Sequence, residues 1–211
     1  MNYKKITTRS LLLFFLLFSF HSIVKAQEYK SVSEVKGLPV GAEVSMFTAK
    51  DQFGNNYKLS EALKKGPVVL LFYRGQWCPV CNKHLSQLQD SLQLIYDKGA
   101  TVIAISPERP EYLKKTEEKT KATFTLLYDK DYQIGNSFDV IFKPDNRTVN
   151  LYNTRLHAQL DESQSDSSSR LPVPATFIIN RKGKIVWRQF NPDYHIRANV
   201  SDIINNIPVK R

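Results

Sequence analysis

The chain has 211 residues, 42% of them hydrophobic, which is enough for one domain with a full core. Its 30 Lys+Arg against 20 Asp+Glu are scattered over "KKG", "YLKKTEEKTK" and "NRKGK". A nucleic-acid partner would need them concentrated on one element with interleaved aromatics, so that class is set aside. The two cysteines, Cys78 and Cys81, are too few and too close together to act as a disulfide scaffold for bulk stability.

Residues 1–26 have the layout of a secretory signal peptide. Lys4, Lys5 and Arg9 precede the apolar run Leu11 to Phe20, and Val24-Lys25-Ala26 form a cleavage site before Gln27. The expectation is export, to a periplasm-like compartment, with an uncleaved membrane anchor as the alternative. No cysteine follows the run, so a lipid anchor at that junction is excluded. The four basic residues of this segment are unopposed, which leaves the remainder mildly basic at 26 Lys+Arg against 20 Asp+Glu.

Residues 27–45 are polar and read as an N-terminal arm to a domain spanning 46–211. "SMFTAKDQFGNNYKLS" suggests two short strands about a Gly54-Asn55-Asn56 turn, and Ser60 is placed to cap a short helix ended by Gly66-Pro67. "VVLLFY", Val68 to Tyr73, is apolar without alternation, as a strand buried on both faces requires. Cys81, Leu85, Leu88, Leu92 and Ile95 then fall on one helical face, with Gly99 as its end. "TVIAIS" is a second buried strand, which makes a β-α-β unit with parallel strands. A charged helix over 110–121, a strand over 124–128 and a short helix over 132–138 follow. Residues 143–170 are polar with a serine-rich end and read as an insertion or long surface loop near the active edge. "ATFIIN" and "KIVWRQF" make a hairpin, and "ANVSDIINNI" closes the chain as a helix. The fold class is α/β, a three-layer α/β/α sandwich about a central mixed sheet.

The two thiols sit where the central strand gives way to a helix, with Pro79 in the first helical turn, where its missing N–H costs nothing. Free backbone N–H groups and the helix dipole at that point favour a thiolate. Cys81 lies on the apolar stripe and Cys78 at the helix tip, which suits an exposed nucleophile backed by a shielded resolving thiol. Three other uses compete. A structural disulfide closing so small a loop gains little entropy. Zinc needs two further ligands, and His84 is joined only by the distant His157 and His195. A c-type haem needs His at position 82, which is Asn82. No metal and no cofactor is expected.

With strand, thiols and helix in place, the chain resembles the redoxin superfamily. This is the thioredoxin-fold group that holds the AhpC/TSA peroxiredoxins and the TlpA/ResA-type thiol–disulfide oxidoreductases. The likeness rests on "VVLLFYRGQWCPVC", "VIAISPE", "FTLLYDKD" and "PVPATFIINRKGKIVW", over roughly residues 41–207. Aligned with the peroxiredoxin pattern Pro-x-x-x-Thr-x-x-Cys, the peroxidatic position falls on Cys81, the threonine on Cys78 and the proline on Arg74. The arginine that precedes the "ATF" strand in that family is here Pro174. The thioredoxin side of the resemblance implies a cis bond at Pro174, with the Val173 backbone presented to a substrate chain. It also implies that Trp77 shields the thiols and forms a docking surface.

Two enzymatic readings follow from the resemblance, both oxidoreductases concerned with cell redox homeostasis. The leading one is thiol–disulfide exchange, with Cys78 as nucleophile and Cys81 resolving the mixed disulfide, on protein disulfides and with a thioredoxin-like or membrane dithiol donor. The alternative is an antioxidant thioredoxin-dependent peroxiredoxin, in which a hydroperoxide oxidises Cys81 and Cys78 closes the redox disulfide Cys78–Cys81. A non-catalytic redoxin-fold binding module is the third class. Arg74, Arg155 and Arg170 are the cations available to replace the missing arginine. Glu108 and Glu111 read as solvent-facing acids at a helix start, and Tyr194 and His195 as part of a surface turn, with a place in the lining of the site as the alternative.

Overall fold

The computed structural model describes residues 29–208; the expected signal segment lies outside them. A seven-stranded sheet runs in the order β2-β1-β5-β4-β3-β8-β9. Its strands are β1 (Thr48–Asp51), β2 (Asn56–Lys58), β3 (Val68–Phe72), β4 (Thr101–Ser106), β5 (Thr125–Tyr128), β8 (Ala175–Ile179) and β9 (Ile185–Phe190). β3, β4 and β5 are parallel, and β1, β2, β8 and β9 join antiparallel at the two sides, so the sheet is mixed. A small second sheet pairs β6 (Ile141–Phe142) with β7 (Leu171–Pro172).

The helices are α1 (Leu59–Lys65), α2 (Pro79–Asp90), α3 (Leu92–Asp97), α4 (Pro110–Thr120), α5 (Gln133–Ser137), α6 (Asn146–Arg155), α7 (Leu160–Ser163) and α8 (Val200–Asn206). Strand β3 explains why helices are needed on both faces, because all five of its residues are buried. Val69 and Leu71 point to one face, where they join Leu85, Leu88, Ile95, Leu113, Phe124 and Ile203. Val68, Leu70 and Phe72 point to the other and join Leu59, Leu63, Tyr132, Phe138 and Phe177. The period of two along the strand thus feeds two separate apolar clusters.

Several expectations change at this level. The stripe from Cys81 to Ile95 is divided between α2 and α3, because Ser91 leaves helical geometry (φ −109°, ψ 9°) while Leu88 and Leu92 keep facing inward. Ser60 lies inside α1, not at its cap: Lys58 holds that place and offers no side-chain bond. Gly66 is fixed by packing, since a Cβ there would run into the backbone carbonyl of Gly99.

The polar arm is docked to the domain. Gly37 and Leu38 donate their N–H groups to Asp139 and Phe138, and Gly41 pairs with Ile185 at 2.8 Å. Arg188 reaches the carbonyls of Lys36, Gly37 and Leu38 at 2.8–3.0 Å. The 143–170 segment is also no plain loop. Asp145 caps α6 by accepting the Thr148 N–H at 2.8 Å, and the helix packs Val149, Tyr152 and Leu156 against the core. Farther on, Arg109 N–H donates to Ser163 at 2.8 Å and Arg109 Nε to Gln164 at 2.9 Å, which folds this segment over the end of β4.

Candidate active site

The end of β3 sets the site. After Phe72 the chain leaves the sheet, and Cys78 becomes the N-cap of α2, with Pro79 at the first helical position. Cys78 Sγ accepts the Cys81 N–H at 3.3 Å, the place a capping oxygen usually takes. The two cysteines are joined as a disulfide. Both are wholly buried, in one cluster with Trp77, Leu85, Ile178 and Ala198. The expectation of an exposed Cys78 is therefore corrected. The helix tip is covered from above by Arg74 and the aromatic rings around it.

Each sulfur has its own guanidinium. Arg74 Nη2 lies 3.3 Å from Cys78 Sγ, and Arg197 Nη2 lies 3.4 Å from Cys81 Sγ. Arg74 is held by Tyr152, whose hydroxyl accepts from Nη1 at 2.8 Å. It also stacks on the Tyr194 ring at 3.8 Å, on Tyr152 at 5.1 Å and on Trp77 at 5.2 Å. Trp77 and Tyr152 pack at 4.9 Å between centroids. Trp77 is buried in this stack and presents no docking surface.

Arg197 belongs to the segment between β9 and α8. Its Nε donates to the Tyr194 carbonyl at 2.6 Å. His84, on the buried face of α2, bonds the neighbouring Ala198 carbonyl at 3.0 Å, and so ties the Arg197 loop to the helix that carries Cys81. Burial and the charge of Arg197 push His84 down to about 4, so it stays neutral and donates. Burial followed by the charge of Arg74 brings Arg197 down to about 10, and burial lowers Arg74 as well. Among the described residues no carboxylate forms an ion pair with either arginine.

A cleft of about 420 Å³ opens beside this group. Arg74, Tyr152, Tyr194, Phe142, Val173 and Pro174 line it. Arg74 thus stands between the cleft and Cys78. The Val173–Pro174 bond is trans, since no cis bond occurs among the described residues, and this corrects the expectation of a cis proline. The Val173 N–H is already given to Val140 at 2.7 Å, as β6 and β7 pair alongside. It is not free to bind a substrate strand.

Glu108 also departs from expectation. Glu108 is fully buried at the end of β4, where its Oε2 accepts the Gln76 N–H at 2.8 Å. Desolvation pushes it up to about 8, against the pull of that bond and of Lys119 and Lys115. Glu108 comes so close to the loop that a side chain at Gly75 would collide with it. The acid read as solvent-facing is thus a support for the thiol loop.

The AhpC/TSA family profile matches residues 40–188. The chain belongs to that family. Over 173 residues it is 30% identical to the chloroplast peroxiredoxin Q of Suaeda salsa, covering 81% of this chain and 69% of that one. The putative peroxiredoxin MT2597 of Mycobacterium tuberculosis is 26% identical over 154 residues, 73% of this chain and 86% of that one. Among solved structures, the fold matches peroxidoxin BcpB of M. tuberculosis with a TM-score of 0.60 at 23% identity, over 79% of this chain and 94% of that one. A cysteine-to-serine mutant of the Xylella fastidiosa PrxQ gives 0.63 at 16% identity, over 81% and 95%. The thioredoxin-like fold and redoxin membership expected from the motifs hold, and as a family member the chain is an oxidoreductase.

The structure brings Cys78, Cys81, Trp77, Pro79 and Arg74 together, with Val173 and Pro174 lining the same cleft as Arg74. Arg170 is elsewhere, paired with Asp166 at 2.8 Å and stacked on Tyr132. Sequence reasoning misses Arg197, Tyr152 and Glu108. The stripe Val149-Tyr152-Leu156 is a readable signal for Tyr152. Nothing in the sequence links Arg197 to Cys81.

Proposed function

We propose that the protein is a thiol peroxidase that reduces hydroperoxides. The carrying observation is that each buried sulfur lies against a guanidinium, Arg74 at 3.3 Å from Cys78 and Arg197 at 3.4 Å from Cys81, the setting that favours the thiolate a peroxide requires. The Cys81 thiolate attacks the peroxide oxygen, and the O–O bond breaks to give a Cys81 sulfenic acid and an alkoxide that takes a proton. The Cys78 thiolate then attacks the sulfenic sulfur and expels hydroxide, which leaves as water, and the disulfide closes. An external thioredoxin-like dithiol supplies the two electrons that reopen it, once the cover over Cys78 moves aside. The relatives named peroxiredoxin support this reading.

Disulfide exchange led by Cys78 has weaker support, because it needs a reachable thiol and a free Val173 amide. Export and action in a periplasm-like compartment remain part of the proposal and are supported by the basic-then-apolar start of the chain.

Stopped-flow mixing of the reduced protein with hydrogen peroxide and with cumene hydroperoxide, on wild type, Cys78→Ser and Cys81→Ser, tests the assignment. The expected result is fast oxidation in wild type and Cys78→Ser, a trappable sulfenic acid at Cys81 in the latter, and loss of reaction in Cys81→Ser. Slow peroxide reaction together with a mixed disulfide trapped through Cys78 would overturn it.

A further inference from the structure

We infer that the two arginines divide the catalytic steps between them: Arg197 serves Cys81 as the group that stabilises its thiolate, and Arg74 serves Cys78 in closing the disulfide. The inference rests on the peroxidase reading. Position 174, where the family pattern carries an arginine, is a proline in this chain, so a guanidinium for Cys81 must come from another element. Arg197 lies beyond the residues the family profile matches, 40–188, yet its Nη2 is 3.4 Å from Cys81 Sγ.

Three features show that this contact is built. The guanidinium stem is fixed by the 2.6 Å bond from Nε to Tyr194 O. The loop is anchored to α2 by His84 on Ala198 O at 3.0 Å. No carboxylate neutralises either arginine among the described residues, so two cations converge on one dithiol with no other counter-charge. The groups facing Arg197 are Cys81 and the neutral His84 from α2, Tyr194 from its own loop, and Arg74 from the loop after β3. Among the described residues, an anion on Cys81 is the only one placed against Arg197. Arg74 is turned to the other sulfur, clamped by Tyr152 and Tyr194.

The steps balance as in the proposed cycle. Arg197 acts while Cys81 sulfur bonds to the distal peroxide oxygen and the O–O bond breaks. Arg74 acts while the Cys78 sulfur bonds to the Cys81 sulfur and the S–O bond breaks. Removing one guanidinium then slows one step more than the other.

The test uses Arg197→Gln, Arg197→Lys and Arg74→Gln, each alone and with Cys78→Ser. In the Cys78→Ser background the pH profile of iodoacetamide alkylation reports Cys81 alone and involves no peroxide. Arg197→Gln is expected to move its midpoint upward by about 1–3 pH units, the effect of losing an opposite charge at contact distance, and Arg197→Lys to restore part of it. With peroxide, Arg197→Gln slows sulfenic acid formation at least about tenfold, whereas Arg74→Gln slows disulfide closure in the full dithiol protein by a larger factor than it slows sulfenic acid formation. An Arg197→Gln profile that superimposes on the parent overturns the inference, as does an Arg74→Gln profile that moves instead. If the parent does not react with peroxide but the profile still shifts, the pairing of Arg197 with Cys81 stands and the peroxidase reading falls. Arg197→Lys keeps the charge, so if Arg197→Gln fails to fold, the partial shift of lysine against arginine decides.

Discussion

Glu108→Gln should make the protein more stable at alkaline pH by several kcal/mol. Glu108 is buried with one carboxylate oxygen on the Gln76 N–H and the other without a partner. Its folded value is about 8 against an ordinary 4.5. Below pH 4.5 both the folded and unfolded chains hold the proton, and Glu108 adds no pH dependence. As pH rises past that point the unfolded chain releases its proton first, so stability falls, and it levels off once the folded group ionises near pH 8. At about 1.4 kcal/mol per pH unit, the loss across that window is roughly 5 kcal/mol. A glutamine keeps an oxygen for the Gln76 N–H and has nothing to ionise. Asp129, pushed up to about 7 by burial, falls in the same direction but is common to both proteins and cancels in the difference. Urea unfolding of the oxidised proteins at about pH 5, 7 and 9 reads the effect, as a gap in favour of the glutamine variant that widens with pH. Two parallel curves, or a variant less stable at the alkaline end, would refute the reasoning, because Glu108 would then be ionised in the fold and held by Lys119.

Tyr152→Phe removes the acceptor of Arg74 Nη1 but keeps the ring in the stack with Trp77. It leaves a buried charged donor unpaired next to Nε, which already lacks a partner. The expected cost is about 1.5–3 kcal/mol in chemical unfolding, with slower disulfide closure and unchanged alkylation of Cys81. Arg188→Ala deprives the carbonyls of Lys36, Gly37 and Leu38 of their shared donor. Limited proteolysis should then cut within residues 29–38 at least several-fold faster while the sheet stays protected, and equal rates would show that the arm is held by its backbone bonds alone.

The parts of the fold legible in the sequence are those where burial on both faces forces a pattern. Val68 to Tyr73 and Thr101 to Ser106 carry apolar residues at nearly every position because helices cover both sides of the sheet, and the stripe of α2 is visible because one face of that helix is buried against it. The 143–170 segment misleads because its composition speaks louder than its period. Its side chains are mostly polar, yet Val149, Tyr152 and Leu156 keep helical spacing, and that single stripe is enough to seat α6. Glu108 misleads for a different reason. An acid at a helix start is ordinarily exposed, but the return of residues 163–164 across the end of β4 and the Gly75–Gln76 loop bury this one.

The thiols and their chemistry are legible because a turn and a helix start bring Cys78, Cys81 and Arg74 within eight residues of one another. Arg197 is not, because electrostatic stabilisation depends on where a charge sits in space and places almost no demand on where it sits in the chain. A guanidinium needs only a fixed stem and a path to the sulfur. In this protein the stem is fixed by Tyr194 O, and the path by the bond from His84 to Ala198 O. Position 174 holds proline where the family pattern has an arginine, and a loop from the far end of the domain brings Arg197 to Cys81. The same logic explains Arg74, which stands where the family pattern has a proline and takes up a cationic role only because Tyr152 and Tyr194 hold it above Cys78. A family motif read residue by residue records these as two losses, while the folded site has a guanidinium on each sulfur.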